Sequence, residues 1–211
     1  MLEKIVKLTN DFQEKYDAEL AKFKAEVARI QKTYKETSQE YLDMKVKARN
    51  EFNAVIEAER QKVIDEIRAC AVQDRDALAD ITSKPAPADA VTTIELLKAG
   101  DPEQTSEFEV KSILEKYKEN YLATKMIVQV TNAKKRFGIM CIPADSIIKD
   151  IQEVEEMACR MVRQYNGNLS YEQAVLLNGK IVMHVNEQVQ NFLNYKYCET
   201  LSETMRKAMN A

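Results

Sequence analysis

The chain has no tryptophan, one histidine, four glycines and four prolines in 211 residues. That shortage of glycine disfavours a turn-rich β-sandwich, and no uninterrupted apolar run is long enough to span a bilayer. The four cysteines, Cys70, Cys141, Cys159 and Cys198, are scattered, with no CxxC pair and no closely spaced histidine. Neither a disulfide framework nor a zinc site follows from that spacing, and small packed thiols are the expected role. Lysine and arginine number 31 against 34 aspartates and glutamates, a formal charge of -3. Nucleic acid and anionic lipid are therefore not expected partners. The opening, MLEKIVKLTNDFQEKYDAEL, carries acids among its lysines and lacks an apolar h-region. It does not read as a secretory signal, and a cytoplasmic protein is the expectation.

What the chain does have is charge and helical period. No glycine or proline occurs between Met1 and Lys84. Leu8, Phe12, Tyr16, Leu20, Phe23, Val27, Ile30 and Tyr34 recur in steps of three and four, which places them on one stripe of a helix. After the polar stretch KETSQE the pattern resumes through Tyr41, Met44, Ala48, Phe52, Val55, Val63, Ile67, Cys70 and Leu78. Thr37 and Glu40 have the spacing of a capping box, so a new helix over 39–82 can fold back on 2–35. The alternative is one continuous helix of about 125 Å, stable only against a partner chain. In both cases the stripe needs a mate. Phe12, Tyr16, Leu20, Phe23, Val27, Ile30, Tyr34, Phe52, Val63 and Ile67 are its candidate oligomerisation residues, and self-association through a coiled coil competes with an internal hairpin.

The Pro-Ala stretch at 85–88 reads as a linker between residues 1–84 and a helical module over 89–211. A short helix is expected from Asp89 to Ala99, with Thr92 and Glu95 in capping-box spacing and Gly100 as its stop. Asp101-Pro102 opens a long run from Thr105 to about Lys135 that carries Phe108, Ile113, Leu114, Tyr117, Tyr121, Leu122 and Met126 and ends at Gly138. A third helix runs from Ala144 to Tyr165, with Ile147, Ile151, Val154, Met157, Ala158, Met161 and Val162 on one side and Asn166-Gly167-Asn168 as its end. Ser170 and Gln173 start a last helix through Val182, Val185, Val189, Phe192 and Leu201. The fold class is all-α, with a small β-hairpin near residues 125–142 as the local alternative, because MIVQV and GIMCI are rich in strand formers.

Chemistry has little to stand on. There is no glycine-rich phosphate loop, G-x-S-x-G elbow or H-E-x-x-H pair, so no catalytic residue, cofactor or metal is assigned. His184 lies in the apolar run IVMHV, and Glu153, Glu155 and Glu156 read as a solvated helix face. The sharpest charge feature is Lys134, Lys135 and Arg136 beside Phe137. It is either a basic last turn that complements its own helix dipole or a docking surface for an acidic partner. Met205, Arg206, Lys207, Ala208 and Met209 form a mixed basic and apolar tail.

A charged helical front, a proline hinge and then IELLKAGDPEQTSEFEVKSILEKYKENYLATKMI, residues 94–127, resemble small helical proteins from the head-gene regions of tailed phages of Gram-positive bacteria. That resemblance implies a non-enzymatic, scaffold-like or minor structural role in virion assembly, in the host-cell cytoplasm. The partners would be a second copy and a capsid or portal protein. A phage-type inhibitor or adaptor that binds one host protein is the alternative. The chain lacks the strongly basic C-terminal helix of a typical scaffold.

Overall fold

A computed structural model describes residues 2–101, 104–134 and 139–168. Among the described residues there are six helices and no strand: α1 Leu2–Thr33, α2 Gln39–Ser83, α3 Ala88–Ala99, α4 Glu107–Tyr117, α5 Tyr121–Lys134 and α6 Ala144–Gln164. The protein is all-α, and no described helix is long and apolar enough to cross a membrane. Its described residues divide into two compact units, one of 2–73 with 151–168 and the other of 74–101, 104–134 and 139–150. The Pro-Ala stretch at 85–88 thus lies inside the second unit, and the expected division into 1–84 and 89–211 does not coincide with the compact units.

In the first unit α1 and α2 form an antiparallel hairpin. Tyr16 packs edge-on against Phe52 at 5.8 Å between ring centroids, and Phe23 stacks on the same Phe52 at 5.2 Å. Nearer the turn, Ile30, Tyr41 and Ala48 form a buried cluster with Phe23, Tyr34 and Met44 against it. The turn needs neither glycine nor proline. Tyr34 N–H still donates to Ile30 O, Ser38 N–H donates to Lys35 O at 2.9 Å, and Ser38 Oγ accepts from Tyr41 N–H at 3.2 Å. Ser38 is therefore the cap of α2, one residue beyond the expected Thr37. The buried seam of α1 also starts earlier than the aromatic pattern, at Ile5 and Thr9. Thr9 satisfies its hydroxyl by donating to Val6 O at 2.8 Å.

The second unit packs α3, α4 and α5 around Ala90, Ile94, Val110, Leu114, Ala123, Ile127 and Val128. The single run expected over 105–135 is broken here. Tyr117 ends α4, and Asn120 starts α5 by accepting from Ala123 N–H at 2.9 Å while its amide donates to Pro85 O at 2.9 Å. An asparagine that can satisfy both a helix start and a neighbouring carbonyl outweighs continued helix. The start of α4 also moves, from Pro102 to Ser106, where Ser106 and Glu109 form a reciprocal capping box. In α3, Thr92 is inside the helix and donates to Ala88 O, so the Thr92–Glu95 spacing marks no start, and Pro87 occupies the cap position.

The β-hairpin alternative over 125–142 fails because its first arm is helical. Ala123, Thr124, Ile127, Val128 and Thr131 are all buried along α5 at helical spacing, where strand alternation would turn half of them outward. Residues 135–138, including the expected stop Gly138, and the last helix from Ser170 lie outside the described residues. Replacing Ser106 by Ala removes one side of the capping box and should cost about 1 kcal/mol. Urea unfolding checks it: the midpoint should fall at unchanged slope, whereas an unmoved midpoint would show that α4 does not depend on its cap.

Candidate functional site

A concave feature of the second unit lies where α3 ends and α4 begins. Gly100 N–H donates to Leu96 O at 2.9 Å, and the chain then turns away in an extended conformation. Lys134 fixes this end from α5: its Nζ donates to Lys98 O and, at 2.6 Å, to Gly100 O. A cation at the C-terminal carbonyls of a helix is favourable electrostatically. The hydrogen bonds of Lys134 go to α3, while its charge also sits in the last turn of its own α5, as the sequence suggests. On the far side, Ser106 and Glu109 hold the first turn of α4, with Ser106 N–H and Oγ–H both donating to Glu109 Oε2 at 2.8 and 2.9 Å.

Between these ends is a cleft of 490 Å³ lined by Leu97, Phe108 and Ile113 on its apolar part and by Asp101, Gln104 and Thr105 on its polar part. Phe108 is 79% exposed, while Val110, Leu114 and Tyr117 of the same helix are buried. The sequence places Phe108 in the apolar run of its helix. At 100° per residue, however, it points nearly opposite Val110 and Tyr117, and that angle is the signal that separates it from the core.

The polar groups of this unit pair with one another across its helix ends. Donation from the Ser106 backbone and hydroxyl holds the Glu109 carboxyl below its ordinary range. Asp89 Oδ2 accepts from Lys116 Nζ and from Tyr117 Oη–H, each at 2.9 Å, joining the start of α3 to the end of α4. Lys116 is pushed above the usual lysine range by Asp89 and Tyr117, and Asp89 is lowered by the same contacts. An amine nucleophile needs the opposite shift, so this trio acts as a clasp. Burial pushes the Cys141 thiol up to about 11 and raises Cys159 as well, which keeps both protonated at neutral pH.

Comparison with known protein families, curated proteins and solved structures finds no match to this chain.

The first unit holds a polar anchor at the end of α6 that the sequence pattern gives no sign of. Arg60 donates from Nε to Val162 O at 3.0 Å and from Nη2 to Tyr165 O at 3.2 Å, meeting carbonyls that α6 cannot satisfy itself. The same guanidinium lies over the Phe12 ring, 5.9 Å from its centroid, and pairs with Glu57. Tyr165 is buried among Phe12 and Tyr16, and its hydroxyl donates to the Asp17 carboxylate at 3.0–3.1 Å. Gly167 then turns the chain at φ 96°, a conformation that side chains resist. A Cβ there would make only ordinary contact with Leu20 Cδ2, at 3.4 Å, so the constraint is the backbone conformation. These partners are 102 to 148 residues apart, beyond what local spacing can signal.

Of the expected stripe, Phe12, Tyr16, Ile30, Val63 and Ile67 are buried within the chain, and Leu20, Phe23, Val27, Tyr34 and Phe52 are half-buried. The structure covers these residues with the chain's own helices, because an antiparallel mate is only a five-residue turn away. Of the expected docking residues, Lys134 caps α3, and Lys135, Arg136 and Phe137 lie outside the described residues, as do His184 and Cys198.

Burial and the Asp17 carboxylate raise Tyr165 to about 12, above the ordinary phenol value of about 10. Folding thus favours the protonated phenol. This contribution is whole below pH 10 and is lost as pH rises through 12. Tyr165→Phe should lower stability by about 1 kcal/mol at pH 8. The gap between wild type and variant should close between pH 10 and 12 in denaturant titrations, and a gap independent of pH would contradict the anchor.

Proposed function

We propose that the protein is a non-enzymatic, phage-type assembly or scaffold-like protein that acts in the host-cell cytoplasm by binding other protein chains through helical surfaces. The observation that carries this reading is Phe108, a large aromatic left 79% exposed on a capped helix beside an apolar cleft. Covering such a side chain is worth roughly 1.5–3 kcal/mol, and aromatic anchors seated in pockets dominate protein interfaces. The rigid frame around it, from the Ser106 cap to the Lys134 clamp on α3, supports a preformed surface that loses little entropy on binding. Self-association, in this reading, uses surfaces other than the seam of α1.

One observation favours the second reading, an inhibitor or adaptor for one host protein. The aromatic seam of the first unit is covered within a single chain, so a lone copy has no seam left to pair.

Affinity purification of the tagged full-length chain from cells expressing its natural neighbours tests both readings. The assembly reading expects a capsid or portal protein, recovered at least about tenfold less by Phe108→Ser. Recovery of one host protein instead would favour the adaptor, and equal recovery by Phe108→Ser would remove the cleft from the account.

A further inference from the structure

The turn that closes the hairpin of the first unit contains no residue that forbids helix. Residues 34–38 read Tyr, Lys, Glu, Thr and Ser, and a helical bond of α1, from Tyr34 N–H to Ile30 O, already reaches into it. What closes the turn is slight. Ser38 N–H donates to Lys35 O at 2.9 Å, and Ser38 Oγ accepts from Tyr41 N–H at 3.2 Å. Lys35, Glu36 and Thr37 are exposed. In a straight helix the N–H groups of 35–38 would each have a carbonyl four residues back, and no cap would be needed.

The spacing across the turn is that of one uninterrupted helix. Tyr41 follows Ile30 by eleven residues and Ala48 follows it by eighteen, which are three and five turns to within about 20°. Phe52 follows Tyr16 by thirty-six residues, ten whole turns. A hairpin alone imposes no such phase, because its turn can set α2 at any rotation about its own axis. Straightened, the chain carries Tyr16, Phe23, Ile30, Tyr41, Ala48 and Phe52 along one side. The contacts inside the hairpin are also centred on the turn: Tyr16 with Phe52, Phe23 with Phe52, and Lys15 with Glu59 all have their midpoints from position 34 to 38. Two straightened chains, antiparallel and crossing at residues 34–38, therefore repeat these pairs between α1 of one copy and α2 of the other.

We infer that residues 34–38 are a hinge, and that the first unit has a second state in which two copies of this chain exchange α1. The partner is a second copy because it carries the α2 surface that already fits α1. Exchange keeps the seam contacts, and the Asp17 bond to Tyr165 with them, so the two states differ at the hinge and in the entropy of pairing two chains. The closed hairpin, with α2 tethered beside α1, wins when chains are dilute. The exchanged state is reached only by opening the hairpin, and it is separate from Phe108 and from the assembly contacts proposed above.

The test refolds the full chain from urea at high protein concentration, as an equal mixture of ordinary and ¹⁵N-labelled chains. Light scattering sizes the products, and carbodiimide coupling reports the Lys15–Glu59 link in the dimer fraction. Ser38→Ala removes a cap that only the closed turn uses, twice for each dimer formed, and should raise the dimer association constant at least about tenfold over wild type. Glu36→Pro fills the second position of the turn from Lys35 to Ser38, which proline suits, and forbids helix there. It should abolish the dimer and leave a folded monomer. In the dimer, the Lys15–Glu59 link should join unlike isotopes as often as like ones. Links between like isotopes alone, a dimer that survives Glu36→Pro, or no gain of dimer with Ser38→Ala would overturn the inference. Should Glu36→Pro fail to refold, the isotope pattern of the Ser38→Ala dimer decides alone.

Discussion

A helix of 32 residues with an aromatic seam down one side needs that seam covered, and in the first unit the cover comes from the same chain. Five residues of turn bring Phe52 back onto Tyr16 and Phe23, and Ser38 supplies the cap that lets α2 start there. Once the two helices are antiparallel, their sides diverge in role. One side of the pair meets α6, whose end is fixed by Arg60, Tyr165 and Asp17. Past that anchor, no third helix lies along this side among the described residues.

The second unit solves a different problem, that of three short helices too brief to be stable alone. Its answer is terminal chemistry at every junction. Ser106 and Glu109 start α4, Asn120 starts α5, Lys134 closes α3, and Asp89 with Lys116 and Tyr117 ties α3 to α4. With the ends fixed in this way, Phe108 can be left outside a core that Ile94, Leu114 and Ile127 already fill. That economy is what makes its exposure informative about function.

Much of the helical architecture was legible from period alone. α6 ends one residue from its expected limit, and the two long N-terminal helices follow their apolar steps. The choice between hairpin and continuous helix was not legible, because a turn made of Tyr34 to Ser38 carries no glycine or proline to announce it. The break at Asn120 was hidden in the same way, since its neighbours all favour helix. Of the site, Phe108 was readable by angle but was absorbed into an apolar run, and the Arg60 anchor joins residues about a hundred positions apart. Lys134 was singled out for its charge, yet its role at α3 depends on a contact across 34 residues.

The central claim is that the seam of α1 is covered by α2 of the same chain, and Lys15 with Glu59 reports on it directly, because their charged ends touch across the hairpin. Zero-length carbodiimide coupling of an equal mixture of ordinary and ¹⁵N-labelled chains, read by mass spectrometry, measures it. The account predicts a Lys15–Glu59 link whose two halves always carry the same isotope. A link found mainly between labelled and unlabelled halves would place α2 on a neighbouring copy and contradict the account.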